Sequence, residues 1–247
     1  MSGRERTFVR RSGGVGRYRT VVVATALAAL ARLGAAAGPV AAPTLPVYEE
    51  PLHRLVYANR WVRILDVRVP PGVTTQYHVH SAPIVGVGVE SARTRAQRPG
   101  EPPGALEERQ AVPYLFDNWR ATLPYEHRVA NEDTVPFHYV VGEWLASPGL
   151  EPEIRPAEAG LEIVQEGTTV RVFRLTLPPH ATAKAHTHTA PGLTVLGTPG
   201  DLLEEGDRPE SSGGEGAGRW SWHVAGSQHV LRNPGDSPVT VFEIDWR

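Results

Sequence analysis

The chain carries the same two blocks of residues twice, in the same order. Leu65-Asp66-Val67-Arg68-Val69-Pro70-Pro71-Gly72 aligns without a gap on Phe173-Arg174-Leu175-Thr176-Leu177-Pro178-Pro179-His180, at an offset of 108. The alignment runs on through His78-Val79-His80-Ser81-Ala82-Pro83 and His186-Thr187-His188-Thr189-Ala190-Pro191. A second block, His127-Arg128-Val129-Ala130-Asn131, aligns on His229-Val230-Leu231-Arg232-Asn233 at an offset of 102, followed by Pro136 on Pro238 and Trp144 on Trp246. An internal repeat is one supersecondary unit used more than once, so it decides the fold before any local propensity does.

Within each block the apolar residues alternate with polar ones. Leu65, Val67 and Val69 flank Asp66 and Arg68, and Phe173, Leu175 and Leu177 flank Arg174 and Thr176. A period of two predicts half-buried strands. The Pro-Pro pairs end them, because proline cannot donate to a strand ladder. Residues 137–144 and 239–246 close the two repeats as further strands. No long amphipathic helix is legible between these blocks, and 25 Gly with 23 Pro suit many short strands joined by turns. The expected fold class is all-β, two antiparallel barrels in tandem. The expected organisation is a repeat over 43–147, a Pro- and Glu-rich linker over 148–160 and a repeat over 161–247. Residues 97–104 and 206–218 read as polar, flexible loops at the mouths of the barrels.

Residues i and i+2 of a strand share a face. His78 and His80 therefore project side by side, as do His186 and His188. His127 and His229, from neighbouring strands, complete two trios of imidazoles. Such a trio suits a divalent metal: Fe, Mn, Ni, Cu or Zn. The chain has no cysteine, so thiolate sites and Cys nucleophiles are excluded. Glu126 adjoins His127 and should face the other way. Tyr125, two residues before His127, should share its face. His53 and His138 are assigned to surface or satisfied core positions, His223 to packing with a place behind the ligands or facing substrate as the alternative, and Arg63 and Arg171 to paired surface roles.

These residues resemble the cupin superfamily. Its first motif runs Gly, five residues, His-x-His, three or four residues, Glu; its second ends Gly-x2-His-x3-Asn. Gly72-x5-His78-x-His80 and His180-x5-His186-x-His188 match the first, with His180 in place of Gly. His127-x3-Asn131 and Gly226-x2-His229-x3-Asn233 match the second, with Pro124 in place of the first Gly. The resemblance spans about residues 57–247 and implies a bicupin of two jelly-roll (double-stranded β-helix) barrels. The motif Glu is absent: Ile84 and Val85 stand there in repeat one, Gly192 and Leu193 in repeat two. Neither repeat is thus expected to hold a fourth, anionic ligand. The three-His cupins that remain as models include several non-haem iron dioxygenases.

Residues 1–20 carry six Arg against Glu5, residues 21–31 are an apolar run, and small residues follow up to Ala42. This pattern predicts a secretory signal peptide over 1–42 and an exported protein, periplasmic or extracellular. An uncleaved membrane anchor and an organelle transit peptide are the alternatives. Arg10-Arg11 opens like a twin-arginine signal, but Ser12-Gly13-Gly14 follow where bulky apolar residues belong. Beyond residue 42 there are 18 basic and 26 acidic residues, a net charge of −8 with no basic stripe, which argues against a nucleic-acid partner. A small molecule is the expected partner, and a homodimer is compatible with the pattern. Three functions fit: a metal-dependent, dioxygenase-like enzyme on a small oxygenated substrate; a cupin that captures a ligand or metal without chemistry; and a structural cupin with vestigial sites.

Overall fold

The computed structural model describes residues 44–119, 121–151, 155 and 157–247. The candidate signal segment lies outside the described residues. Nine strands form the first half: β1 (Leu45–Pro46), β2 (His53–Ala58), β3 (Val62–Val69), β4 (His78–His80), β5 (Ile84–Glu90), β6 (Thr94–Gln97), β7 (Tyr114–Asp117), β8 (Tyr125–Asn131) and β9 (Phe137–Trp144). The second half has nine more: β10 (Leu161–Glu166), β11 (Val170–Leu177), β12 (His186–Thr187), β13 (Gly192–Leu196), β14 (Leu203–Gly206), β15 (Ser211–Gly213), β16 (Trp220–His223), β17 (Gln228–Arg232) and β18 (Val239–Trp246). Each half has one large and one small sheet. The large sheets run β2-β3-β9-β5-β7 and β10-β11-β18-β13-β16-β15; the small ones run β1-β4-β8-β6 and β12-β17-β14. No helix among the described residues is long and apolar enough to cross a membrane.

Three cores hold this arrangement. Leu65, Val67 and Val69 of β3 fill the first barrel with Tyr139 and Val141, and Leu175, Leu177, Leu231 and Val241 fill the second. The third core joins the repeats. Val62, Ile64, Val85, Val87 and Val140 from one large sheet meet Val172, Leu193, Trp222, Ile244 and Trp246 from the other. The half-buried strand expected from Leu65-Asp66-Val67 is therefore covered on both faces over its first half, where Val62 and Ile64 meet the second repeat. Gly142 admits this contact, because a Cβ there would lie 2.7 Å from the Trp246 ring. Trp246 is fully buried, and truncating such a side chain costs about 3–5 kcal/mol.

Two motif positions have structural roles. Gly72 sits at φ 70° and its counterpart His180 at φ 59°, so the turn after each Pro-Pro pair requires the left-handed region. Glycine enters that region freely and a side chain does so with strain. The motif asparagines tie the strand ends together. Asn131 Nδ2 donates to the Val69 and Val135 carbonyls at 2.9 Å each, and Asn233 Nδ2 to those of Leu177, Pro178 and Ser237. Residues 206–218 are not a loop throughout: Ser211–Gly213 pairs with β16, opposite Trp222, Ser221 and Trp220.

Candidate metal centres

The register of β4 on β8 sets His78 directly opposite His127, and that of β12 on β17 sets His186 opposite His229. The His-x-His spacing then adds His80 and His188. In repeat one, donor atoms of His78, His80 and His127 all lie within 4.8 Å of one another. The Nε2 atoms of His80 and His127 are 3.2 Å apart. Adjacent nitrogens on one ion, each about 2.0–2.1 Å from it, stand about 2.9–3.4 Å apart. His78 Nδ1 donates to the Gln76 carbonyl at 2.9 Å, which leaves its Nε2 as the lone-pair nitrogen. That Nε2 is buried and has no hydrogen-bond partner. A cation is the group that this orphaned atom fits.

Burial keeps this trio neutral. It lowers His78 to about 4, helped by neighbouring His53. Burial together with the adjacent imidazoles lowers His80 to about 3 and His127 to about 2. Neutral imidazole is the ligating form, so protons do not compete for these nitrogens near neutral pH. His53 is a satisfied core histidine, one of the two roles read from sequence, and it also belongs to this neighbourhood. Its ring lies 4.4 Å from that of His78, and its Nδ1 donates to Glu50 Oε2 at 2.7 Å. Glu50 also accepts the backbone N–H of Gln76, the residue whose carbonyl sets the His78 tautomer. Tyr125 shares the inward face as expected: it pairs with His80 in register, and its ring is 4.7 Å from that of His127. Glu126 pairs instead with Thr44, and His138 with buried Asp66 at 2.8 Å.

Repeat two departs from expectation. A carboxylate does join its histidines, from a strand rather than from the motif position. Glu243 Oε1 lies 3.1 Å from the Nε2 atoms of both His186 and His229, and 3.9 Å from that of His188. The Nε2 atoms of His186 and His229 are 2.8 Å apart, and those of His188 and His229 are 3.2 Å apart. Four donors at these separations can surround one ion. Gly192, at the motif-Glu position, explains the exchange: a Cβ there would come within 2.9 Å of Asp245 and 3.0 Å of His188. The residue of repeat one that aligns with Glu243 is Val141, so the first site stays three-His.

The surroundings of the second site also carry charge. Glu204 Oε1 accepts from His229 Nδ1 at 2.7 Å and from His223 Nε2 at 2.8 Å. A carboxylate behind a ligating imidazole orients it and raises its basicity. Burial alone would lower His229, but Glu204 and Glu243 outweigh it and raise the group to about 9. His223 is thus more than packing; its ring stacks on His188 at 4.8 Å with an interplanar angle of 7°. The linker contributes Arg155, whose side chain is 2% exposed and ion-pairs with Glu243 Oε2. Its Nη2 lies 3.2 Å from His186 Nδ1. Burial pushes Glu243 up, but Arg155 and His186 more than reverse this and hold it well below the usual carboxylate range.

In sequence, no family model and no curated protein matches the chain. Its fold has solved counterparts. AerE from Microcystis aeruginosa superposes with a TM-score of 0.54 at 10% identity, covering 80% of this chain and 98% of that one. Oxalate decarboxylase from Lactobacillus farciminis gives 0.50 at 12% identity, covering 76% and 77%. Salicylate 1,2-dioxygenase from Pseudaminobacter salicylatoxidans gives 0.49 at 12%, covering 76% and 72%. The structural neighbours are cupin-fold proteins, and they match across both repeats. The chain has the bicupin fold. Its repeats differ in chemistry, however: a neutral three-His group in one stands beside a three-His-one-Glu group met by an arginine in the other.

Proposed function

We propose that this bicupin is an exported metal-dependent enzyme, with oxidoreductase chemistry of the dioxygenase type carried out at His78, His80 and His127 on a small oxygenated substrate. The likeness to the decarboxylase and AerE concerns fold alone, so the argument comes from the site. One observation carries it: the ligand-ready trio opens on a cavity. His80 and His127 line a space of about 230 Å³ together with Tyr114, Phe116, Tyr125 and Tyr139. His186, His188, His229 and Glu243 are instead all buried, with Arg155 on the carboxylate. Repeat two is read as the structural metal site.

A divalent metal, when bound, supplies Lewis-acid polarisation of a substrate oxygen and, for a redox-active ion, electron-transfer capacity. The chain's own residues do the rest. Three neutral imidazoles hold the ion without cancelling its charge. The rings of Tyr114, Phe116, Tyr125 and Tyr139 line the approach to His80 and His127 with apolar surface. Tyr125, opposite His80, offers a hydroxyl to hold or pass a proton at the substrate.

Elemental analysis of the untagged protein, paired with oxygen-uptake assays over diketones, phenols and thiols, tests this reading. A redox metal whose content falls in the H78A/H80A/H127A variant by the share held in repeat one, together with uptake lost in the same variant, is the expected result. Protein without metal, or uptake that survives the triple substitution, contradicts it. Export is tested separately by N-terminal sequencing of the secreted form, expected to begin just after Ala42.

A further inference from the structure

The same carboxylate grip is built into both repeats. Glu50 follows the short turn Val47–Glu49, just ahead of β2. Its side chain is 1% exposed. Oε2 accepts the Leu52 N–H and the His53 Nδ1–H at 2.7 Å each, and Oε1 accepts the Gln76 N–H at 3.1 Å. At the offset of 108, Glu50 aligns on Glu158 and Gln76 on Lys184. Glu158 Oε2 accepts the Lys184 N–H at 2.8 Å. In each repeat a glutamate ahead of β2 or β10 thus holds the backbone two residues before the His-x-His pair. Neither glutamate belongs to a cupin motif.

What the grip sets differs between the repeats. In repeat one the Gln76 carbonyl accepts from His78 Nδ1 at 2.9 Å. The N–H that Glu50 holds and the carbonyl that His78 meets belong to one residue, so the carboxylate fixes where that acceptor lies. The partner of one ring nitrogen decides which nitrogen is left for a metal, and here it leaves Nε2. Burial pushes Glu50 up, but the donors His53, Gln76 and Leu52 reverse this and hold it below its ordinary value. The grip is therefore that of a charged acceptor. In repeat two Arg155 intervenes, where repeat one has buried Val47. Its Nη2 lies 3.6 Å from Glu158 Oε1 and 3.2 Å from His186 Nδ1. His186 meets a donor where His78 meets an acceptor.

We propose that Glu50 is a positioning residue of the repeat-one metal centre: through the backbone of Gln76 it holds His78 as an Nε2 ligand. This rests on the reading of His78, His80 and His127 as metal ligands. Two measurements on the full chain test it. In EDTA-treated protein near neutral pH, long-range 1H–15N correlation of the histidine rings reads the His78 tautomer, its signals being those lost in H78A. Wild type should carry the proton on Nδ1. Glu50→Gln removes the charge and one acceptor oxygen, and should shift the proton in part to Nε2. Zn(II) titration against a chelator gives the second readout, the repeat-one step being the one absent from H78A/H80A/H127A. E50Q should weaken that step by at least about fivefold, as the loss of an outer partner of a ligating imidazole does. E158Q breaks the same grip in the other repeat, and should change the repeat-one step by less than about twofold, since distant sites act independently. E50D keeps the charge but falls a methylene short of Gln76; it should show both changes to a lesser degree, and decides the matter if E50Q does not fold.

A glutamate that only secures the turn would lower the Tm of E50Q and leave the His78 tautomer and the zinc step as in wild type. That result, or an equal weakening in E158Q, overturns the proposal. The two readings fail separately. Wild type with no zinc step lost in H78A/H80A/H127A removes the metal reading, and the tautomer comparison still decides whether Glu50 fixes His78. A repeat-one zinc step that E50Q leaves unchanged removes the role of Glu50 alone.

Discussion

Arg155 gives the sharpest prediction about repeat two. Its guanidinium has only donors, so the nitrogen it meets at 3.2 Å, His186 Nδ1, must accept. A neutral His186 then carries its proton on Nε2, facing Glu243 Oε1 at 3.1 Å. A metal held through Nε2 requires the opposite tautomer, which would turn an N–H towards the guanidinium. Arg155 also shares the charge of Glu243. Metal and arginine therefore oppose each other, with a coupling expected at the usual ~1–3 kcal/mol, or about 5–150-fold in affinity. Arg155→Met keeps the side-chain bulk and removes the charge. In the H78A/H80A/H127A background, where only repeat two binds, the substitution should tighten Zn(II) by at least about fivefold in chelator competition. Without metal, breaking a buried ion pair costs about 3–5 kcal/mol, equivalent to roughly 6–20 °C in Tm for a chain of this size. Zinc should recover most of that loss. An unchanged or weaker zinc affinity in folded R155M would refute the reasoning.

The remaining predictions concern charge and the ligands. In EDTA-treated protein, His78, His80 and His127 stay neutral when folded, at about 4, 3 and 2, while the unfolded chain takes up protons below about 6.5. Stability should therefore fall as pH drops from about 6.5 towards 4, by up to about 4 kcal/mol per unit, and urea unfolding of the triple alanine variant should lose this slope. His229, raised to about 9, acts in the opposite sense: its contribution is complete below about 6.5 and is lost as pH rises through 9, so H229A should flatten the alkaline limb. Ile84→Glu, which places a carboxylate on the cavity wall beside His80, should lower the metal-free Tm and tighten divalent metal in repeat one by about tenfold or more; unchanged affinity would place residue 84 out of reach. Glu204→Gln should weaken metal in repeat two by about 10–100-fold, read by chelator competition, with repeat one unaffected.

The barrels and the six histidines were legible because both follow from period two and from one pattern written twice. Cross-strand register did the rest, setting His127 on His78 and His229 on His186. Glu243 was missed because the carboxylate was sought at the motif position, 192 or 193. The alternation of β18 held the signal: Val239, Val241, Glu243 and Asp245 share a face, and all four are buried. A carboxylate on the inward face of a barrel strand needs a cationic partner. His53 gave no such signal. It lies on β2, outside both motifs, and its counterpart in the second repeat is Leu161. Nor could Arg155 be read from a linker composition, since what matters is where its side chain returns. From residue 65 onward the alternation of β3 shows one apolar face, which gives a half-buried strand. Val62 and Ile64 continue the apolar pattern on the opposite face, and only the packing of a second repeat explains them.

The central claim is that one ion is shared by three imidazoles in repeat one. Anomalous diffraction at the absorption edge of the metal found by elemental analysis measures this directly. The account predicts a peak about 2.0–2.2 Å from the Nε2 atoms of His78, His80 and His127 together, bordering the cavity lined by Tyr125. A crystal with metal only at Glu243, or with the three nitrogens turned away from any peak, would contradict it.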